Sequence, residues 1–475
     1  MNEHSVNGFL PRKVKTFSLL LSQSSTKSAM LAFYHDHLTM PRFQKGVFTG
    51  KEERMQRTGN SGHTKNNANE RVMLMWWWIL LIIIAAVFIW LVIDFKLGRS
   101  QFIRTRTRRD YEKRNSNIEL FSRGPELFDQ MFKELKEATS SIHVLFYIVQ
   151  DDHFALRFLD LLKDKAKEGI EVRLLMDQIG SHNVPGSKVR MLKDAGVEVA
   201  FCQKVRPPFL FFSSQQRNHR KITVIDGKIG YVGGYNVGKE YIDENDIPEL
   251  SPWRDYHLRL EGEGVHDLQT EFCIDWYRAT KKDLKEVASY FPPAFKGSIP
   301  HQIFPTEGVN IEEFFKKFID EAEEEIIIGT PYFIPTPILM DALCSALGRG
   351  VIVRIIVPNN SDHILVKEAA FPYFRTLLSK GAEVYQFMNG FYHAKVIIVD
   401  DHFCDIGTAN FDKRSFFINL EINTLIFDKE FIHTLKNEMA KDLEASDQLN
   451  ESDLANVSLF TRMKERVAST ISILL

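Results

Sequence analysis

The chain has 475 residues, 44% of them apolar, with 60 Lys and Arg against 62 Asp and Glu for a net charge of −2. At about 150 residues per domain this is a prior of roughly three units, and a balanced charge lacks the basic excess of a nucleic-acid-binding protein. Cys202, Cys273, Cys344 and Cys404 lie far apart and form no CxxC pair, so they read as reduced thiols rather than a disulfide frame; the histidines have no metal-ligand spacing either, and no metal is expected.

Residues 1–71 mix Ser, Asn, Lys, Thr and Gly with short apolar patches and no firm periodicity. The expectation is a disordered extension, with translation starting at Met73 or Met75; peptides from residues 1–70 in the native protein would remove that second reading. Residues 72–95 read VMLMWWWILLIIIAAVFIWLVIDF, with no charge before Asp94. About 20 apolar residues cross a bilayer as a helix, and Trp76, Trp77, Trp78 and Trp90 sit near the two ends as an aromatic belt does. A buried core helix seldom runs so long without a polar face. A cleaved signal peptide has a shorter apolar run and a small-residue cleavage site.

Residues 96–115 form a basic linker with Lys96, Arg99, Arg104, Arg106, Arg108 and Arg109, whereas Arg54, Arg57, Lys65 and Arg71 upstream are mixed with Glu52, Glu53 and Glu70. The positive-inside rule therefore places the C-terminal side in the cytoplasm. The basic cluster suits anionic headgroups, or serves as a solvated flank to the span.

The remainder divides into residues 116–290 and 291–475, which echo each other. The first has the strand-like run SSIHVLFYIV, a helical pattern in ALRFLDLLKDKAKEG, the strand IEVRLLMD, and a helix ending in KDAGVEVAF. The second has EEEIIIGTPYFI, the helix ILMDALCSALGRG, the strand VIVRIIVP, and SKGAEVYQF. Strand–helix alternation predicts α/β layers with mostly parallel central sheets.

Each half then carries one constellation. RNHRKITVID holds His219, Lys221 and Asp226; FYHAKVIIVD holds His393, Lys395 and Asp400 at the same spacing. Gly233 and Asn236 follow Asp226 by seven and ten residues, as Gly407 and Asn410 follow Asp400. The agreement at so many offsets predicts a duplicated domain, each copy giving half of one site. Alternation along a strand turns His and Lys of each pair to one face. Such a pair suits a phosphate: Lys neutralises its oxygens, and His attacks phosphorus or moves a proton. Asn236 and Asn410 are candidate donors to the same oxygens. With two sets facing each other, one histidine attacks in line and the other protonates the leaving alkoxide. Downstream carboxylates, Asp255 and Glu421, are candidates to hold the second ring nitrogen of a histidine. Asp226 and Asp400 belong to the motif, but read as mainly structural, bonding turn backbone or the other half. Lys413 and Arg414 are either phosphate ligands or solvent-facing charges, and RPPFLFFSS before His219 is either a lipid-dipping segment or a buried one.

HRKITVID and HAKVIIVD, with GGYN and GTAN after them, resemble the doubled HxKxxxxD signature of the phospholipase D superfamily, from about residue 118 to the C-terminus. RNHRKITVIDGKIGYVGGYNVGKEY, WRDYHLRLEGEGVHDLQ and GTPYFIPT look like the bacterial cardiolipin synthases, and a single N-terminal span is similar to their minor, one-anchor type. The resemblance implies two pseudo-symmetric α/β sandwich domains behind one transmembrane helix in the bacterial cell (inner) membrane. It implies phosphatidyl transfer between two phosphatidylglycerol molecules, giving cardiolipin and glycerol, without metal, nucleotide or other cofactor. His219 would be the nucleophile and His393 the acid and then the base, although the sequence leaves the order of the two open, as it does the oligomeric state. The alternatives are a phospholipase D-type hydrolase, a transferase using another alcohol, a nuclease, and an inactive scaffold; the span opposes a nuclease, and two intact His–Lys sets oppose a scaffold.

Overall fold

The computed structural model describes residues 62–106, 108–455 and 457–475. Residues 1–77 and 78–475 form separate units by their internal contacts. Most of the segment expected to be disordered lies outside the described residues, but residues 62–71 correct that expectation. They are the first turns of helix α1 (Gly62–Arg104), which carries the predicted span at its centre. Helix propagation from a long apolar run costs far less than nucleation, which is the physical reason for the extension. Within residues 71–104 of α1, the most apolar 18-residue stretch has a mean hydropathy of 2.8 and is almost entirely unburied.

The first half runs β1 (Arg114–Arg123), α2 (Gly124–Glu137), β2 (Ser141–Phe146), α3 (His153–Lys167), β3 (Glu171–Asp177), α4 (Gly186–Asp194) and β4 (Glu198–Cys202). It continues through α5 (Leu210–Gln215), β5 (Ile222–Ile225), β6 (Ile229–Gly233), β7 (Trp253–Gly262) and α6 (Gly264–Thr280). The second half repeats this with β8 (Ile299–Glu307), α7 (Ile311–Glu321), β9 (Glu325–Gly329), α8 (Pro337–Gly348), β10 (Ile352–Pro358), α9 (Val366–Leu378) and β11 (Glu383–Phe387). Then come β12 (Phe391–Tyr392), β13 (Val396–Val399), β14 (Phe403–Gly407), α10 (Lys413–Phe417), β15 (Leu420–Ile426) and α11 (Lys429–Glu444). The chain closes with β16 (Ser446–Leu449), α12 (Glu451–Ala455) and α13 (Leu459–Thr470).

The strands form one continuous sheet in the order β16-β11-β10-β9-β13-β14-β15-β8-β1-β7-β6-β5-β2-β3-β4. Read outward from the antiparallel β8–β1 pair, the two sides match over seven strands each, with β16 added at one edge, so the duplication seen in sequence is also a pseudo-symmetry of the sheet. The expectation of mostly parallel sheets is corrected. Only β2-β3-β4 and β9-β10-β11 run parallel along the main path; the central strands are antiparallel. The reason is local. Asp226-Gly227 and Asp400-Asp401 are tight turns that fold β5 onto β6 and β13 onto β14, and a short hairpin can only be antiparallel.

Each half has its own core on one face, α2 and α3 over β2 and β3 in the first and α7 to α9 over β9 and β10 in the second. The opposite face is shared. There Phe272 and Trp276 of α6 and Ile432, Leu435 and Met439 of α11 join strand residues of both halves in one cluster, each large apolar side chain contributing about 1.5–3 kcal/mol on burial. The halves therefore make one rigid seam.

The basic linker is also corrected in part. Arg109 turns inward to Glu271 (2.6 Å) and Glu307, and Arg106 to Glu307 (3.1 Å). Arg99 donates to Phe417 O at 3.3 Å. Buried carboxylates at the seam need these partners, leaving Lys96, Arg104 and Arg108 exposed.

Candidate active site

The two motif histidines sit at the seam, each on an extended segment just before its hairpin rather than inside the strand. His219 N donates to Leu420 O at 2.9 Å, and Leu420 N donates to Arg217 O at 2.9 Å. The pseudo-symmetric segment behaves alike: Phe391 N donates to Pro252 O at 3.0 Å and His393 N to Arg254 O at 2.7 Å. Each histidine segment is thus stitched to the first residues of a strand from the other half, β15 for His219 and β7 for His393. The next residue on those strands is Glu421 in one case and Asp255 in the other.

The carboxylates are consequently exchanged between halves. His219 Nδ1 donates to Glu421 Oε2 at 2.8 Å, and His393 Nδ1 lies 2.7 Å from Asp255 Oδ2. Glu421 also accepts from Thr408 Oγ1 (2.6 Å), Ser415 Oγ (3.0 Å) and Asn419 Nδ2 (3.2 Å). Asp255 accepts from Tyr256 N at 2.8 Å. A Cβ at Gly234 would lie 2.1 Å from Asp255 Oδ1, which accounts for a glycine in GGYN. With Nδ1 of each ring held, Nε2 is the nitrogen left to react.

The lysines differ. Lys221 Nζ donates to His219 O at 2.8 Å. Lys395 Nζ donates to His393 O and to Asp255 Oδ2 (3.3 Å), and lies 2.6 Å from His393 Nδ1. Both are buried. Burial pushes Lys221 down to about 7, against the opposing pull of Glu421, and pushes Lys395 down against that of Asp255. Burial also lowers both histidines: His219 is held below its usual value despite Glu421, and His393, with Lys395 adding to the effect, falls to about 3. Burial raises Asp255 and Glu421, but the neighbouring cations outweigh it and both stay below the usual carboxylate range. At neutral pH the free site thus holds two neutral imidazoles and two carboxylates, with Lys221 close to its titration point and Lys395 held below its usual value.

Aromatic rings wall the histidines. Tyr147 meets His219 edge-on at 5.0 Å, and Trp253 lies 4.8 Å from the His393 ring.

Asp226 and Asp400 bond away from the two histidines. Asp226 accepts from the backbone N–H groups of Thr139, Ser140 and Ser141 at 2.7–2.9 Å. Asp400 does the same for Glu323, Glu324 and Glu325 at 2.8–3.0 Å. They pin the hairpin to the start of β2 and β9, Asp226 accepting also from Thr139 Oγ1 at 2.8 Å. Asn236 accepts from Ile148 N (3.1 Å) and donates to Tyr241 OH (3.2 Å). Asn410 donates to Asp412 Oδ2 at 3.1 Å. One N–H of each amide is therefore committed to a loop and one remains.

Lys413 donates to Ser472 Oγ (2.9 Å) and Arg414 to Gln215 O and Leu474 O (both 2.9 Å), so neither faces the histidines. Of the RPPFLFFSS segment, Phe212 is buried and packs against Phe95 and Phe102 of α1, while Asp94 Oδ1 accepts from Phe212 N at 2.8 Å; Leu210 stays exposed.

Arg220 was missed. It lies between His219 and Lys221 and points to the opposite side, fully buried. It donates to Glu271 Oε2 (2.8 Å), Asp275 Oδ2 (2.9 Å) and the backbone O of Glu421 (3.0 Å). Its only sequence signal was that alternation itself.

Among the described residues no group of His, Cys, Asp and Glu is arranged to hold a metal ion. The sequence profile described as "Cardiolipin synthase, PLD-like domain" matches residues 131–246 and 315–443. Minor cardiolipin synthase ClsB of Bacillus subtilis (strain 168) is 40% identical over 81% of this chain and 96% of its own length. Major cardiolipin synthase ClsA of the same strain is 38% identical over 75% of each chain. Among solved structures, the phosphatidylserine synthase of Haemophilus influenzae Rd KW20 superimposes with a TM-score of 0.60 at 15% identity, over 76% of this chain and 97% of that one, a likeness of fold.

Proposed function

The chain belongs to the cardiolipin synthase family of phospholipase D-like proteins, and on that premise we propose that it moves a phosphatidyl group between two phosphatidylglycerol molecules. His219 Nε2 attacks the phosphorus of the first lipid, and the bond to the headgroup glycerol breaks. The departing alkoxide takes a proton from His393, and glycerol leaves. A hydroxyl of the second phosphatidylglycerol then gives its proton to His393 and attacks the phosphatidyl-histidine. The P–N bond breaks, and cardiolipin is formed with His219 free again.

The observation that carries this reading is the exchanged pair: two imidazoles, each held at Nδ1 by a carboxylate of the opposite half, beside two buried lysines. The division of roles rests on their difference. The carboxylate alone holds His219 Nδ1, which turns the Nε2 lone pair outward as a nucleophile needs. At His393 an ammonium also lies against Nδ1 and its carboxylate, and that neighbouring positive charge favours release of the Nε2 proton once the ring is protonated, as an acid must give it. Both imidazoles are neutral in the free site, so the acid takes up its proton with the anionic substrate, whose charge opposes the effect of burial. Lys221, Lys395 and the free N–H of Asn236 and of Asn410 neutralise the phosphoryl oxygens. Asp255 and Glu421 hold the rings.

The repeats proposed are residues 116–290 and 291–475, with α1 as a single span of the bacterial cell (inner) membrane and the repeats on the cytoplasmic side, a reading supported by the charge bias across the span. The test is a product assay on vesicles of phosphatidylglycerol without added metal. Cardiolipin plus glycerol is expected, lost in His219→Ala and in His393→Ala. Phosphatidic acid as the product would mean that water is the acceptor and would overturn the transferase reading.

A further inference from the structure

Helix α13 has two opposite faces. One packs on the protein: Glu465 and Ala468 are buried, Arg375 pairs with Glu465 at 2.6 Å, and Lys464 donates to Glu368 at 2.8 Å. On the other, Leu459, Phe460, Met463 and Val467 are 85%, 62%, 56% and 49% exposed. At 100° per residue these four fall within one arc of about 100°, opposite Glu465 and Ala468. A single exposed leucine is ordinary, but four large apolar side chains on one face of one helix mark an interaction surface. Arg462 and Arg466, both exposed, border the same arc.

What this surface meets is indicated by what it adjoins. The bonds from Lys413 to Ser472 and from Arg414 to Leu474 tie the residues after α13 to α10. There Ile471 and Leu474 line, with Phe88 and Phe95 of α1 and Phe211 of α5, an apolar groove of about 750 Å³ rimmed by Lys96 and Arg104. The groove carries the apolar surface of α1 over to the end of α13, at the level where α1 turns from apolar to basic.

We propose that α13 lies in the headgroup–acyl boundary of an anionic bilayer, its Leu459–Val467 face among the acyl chains, as a second membrane contact beside α1. An amphipathic helix with a wide apolar arc and bordering arginines binds such a surface through both area and charge. One span alone leaves the catalytic repeats free to swivel; two contacts on different elements fix their tilt. The inference rests on α1 crossing the bilayer.

The experiment labels the full chain with an environment-sensitive fluorophore at a single introduced cysteine. Cys202, Cys273 and Cys404 are buried and Cys344 is partly exposed, so the background is Cys344→Ser. Phe460→Cys is compared with Ile83→Cys on α1 and Ser187→Cys on α4, in phosphatidylglycerol vesicles containing lipid with nitroxide-bearing acyl chains. Expected is a blue-shifted Phe460→Cys label, quenched severalfold more than Ser187→Cys. A blue shift that grows with protein density without nitroxide quenching would assign the face to a second copy of the chain and overturn the proposal. A water-like, unquenched label with Ile83→Cys quenched would overturn it while sparing the anchor. Absence of quenching at Ile83→Cys would overturn the anchor reading and this proposal with it.

Discussion

Glu421→Gln isolates the charge that supports the proposed nucleophile. Glu421 is fully buried and accepts four hydrogen bonds, from His219, Thr408, Ser415 and Asn419. The amide keeps the volume but removes the negative charge that faces the imidazolium formed when His219 is phosphorylated. A hydrogen bond to a charged group contributes about 1.5–3 kcal/mol, and each 1.36 kcal/mol is tenfold in rate, so kcat should fall about 10- to 100-fold. The sign of the pH effect follows from the same contact. Burial lowers His219 and Glu421 opposes it, so losing Glu421 lowers His219 further. The acid limb of kcat/KM, where His219 gains a proton and stops attacking, should therefore move to lower pH. The assay is cardiolipin formation at saturating phosphatidylglycerol across pH, with thermal melting to confirm folding. A folded variant with kcat within about twofold of the parent and an unmoved acid limb would refute the role given to Glu421.

Four further outcomes are expected. Asp400→Asn should lower Tm while leaving turnover per folded molecule within about threefold, since Asp400 bonds backbone near the hairpin and the exposed His402, away from the reactive rings; a loss like that of His393→Ala would return it to the catalytic set. Although burial pushes Asp400 up, the backbone N–H groups hold it low, so its stabilising effect is present above about pH 3.9 and fades as pH falls through the folded value; melting curves of parent and variant should converge there. In the parent, the acid limb of kcat/KM should lie below the usual histidine value, because burial lowers both rings, and the profile should fall above about 7 as Lys221 loses its charge; a profile flat from about pH 7 to 9 would contradict it. Phe211→Ser, in the groove beside α1, should weaken turnover on vesicles more than on short-chain soluble phosphatidylglycerol, equal losses counting against a lipid-guiding role. Arg220→Ala, which removes a buried cation from Glu271 and Asp275 and leaves them to Arg109 and Arg278, should destabilise the protein by about 3–5 kcal/mol in chemical denaturation, and a change under about 1 kcal/mol would show that the remaining cations suffice.

The sequence made the duplicated constellation legible because fixed offsets are a one-dimensional pattern. The long apolar helix was legible because an uncharged run of that length stands out in one dimension. The antiparallel centre of the sheet was misread because strand–helix alternation dominates each half, and two short hairpin turns carry the contrary information. The pairing of His219 with Glu421 and of His393 with Asp255 was not legible. Each carboxylate follows the motif of its own half in sequence, and only the parallel contacts at Leu420 and Arg254 show that it serves the other. Arg220 looked like an interchangeable residue between two important ones, since a buried cation needs partners that lie about 50 and more residues away. Lys413 and Arg414 illustrate the converse: charges that look free in sequence tie down the C-terminus.

The exchange of carboxylates explains why the plan occurs twice in one chain. A single half would present a histidine without its carboxylate and a carboxylate without its histidine, each buried and uncompensated, which costs more than leaving both in water. Stitching the two halves along β15 and β7 completes both pairs at once, so formation of the seam and of the reactive site are one event. Symmetry alone would make the histidines equivalent, yet the proposed reaction needs one base that attacks and one acid that gives up a proton. The lysines separate them. Lys221 contacts only the backbone of its histidine, whereas Lys395 also reaches the ring nitrogen and the carboxylate of His393. The residue between each pair differs as well: Arg220 in the first half bonds the backbone of Glu421, and Ala394 in the second makes room in the shared core. Duplication thus supplies the two facing groups, and small departures from it assign them different work.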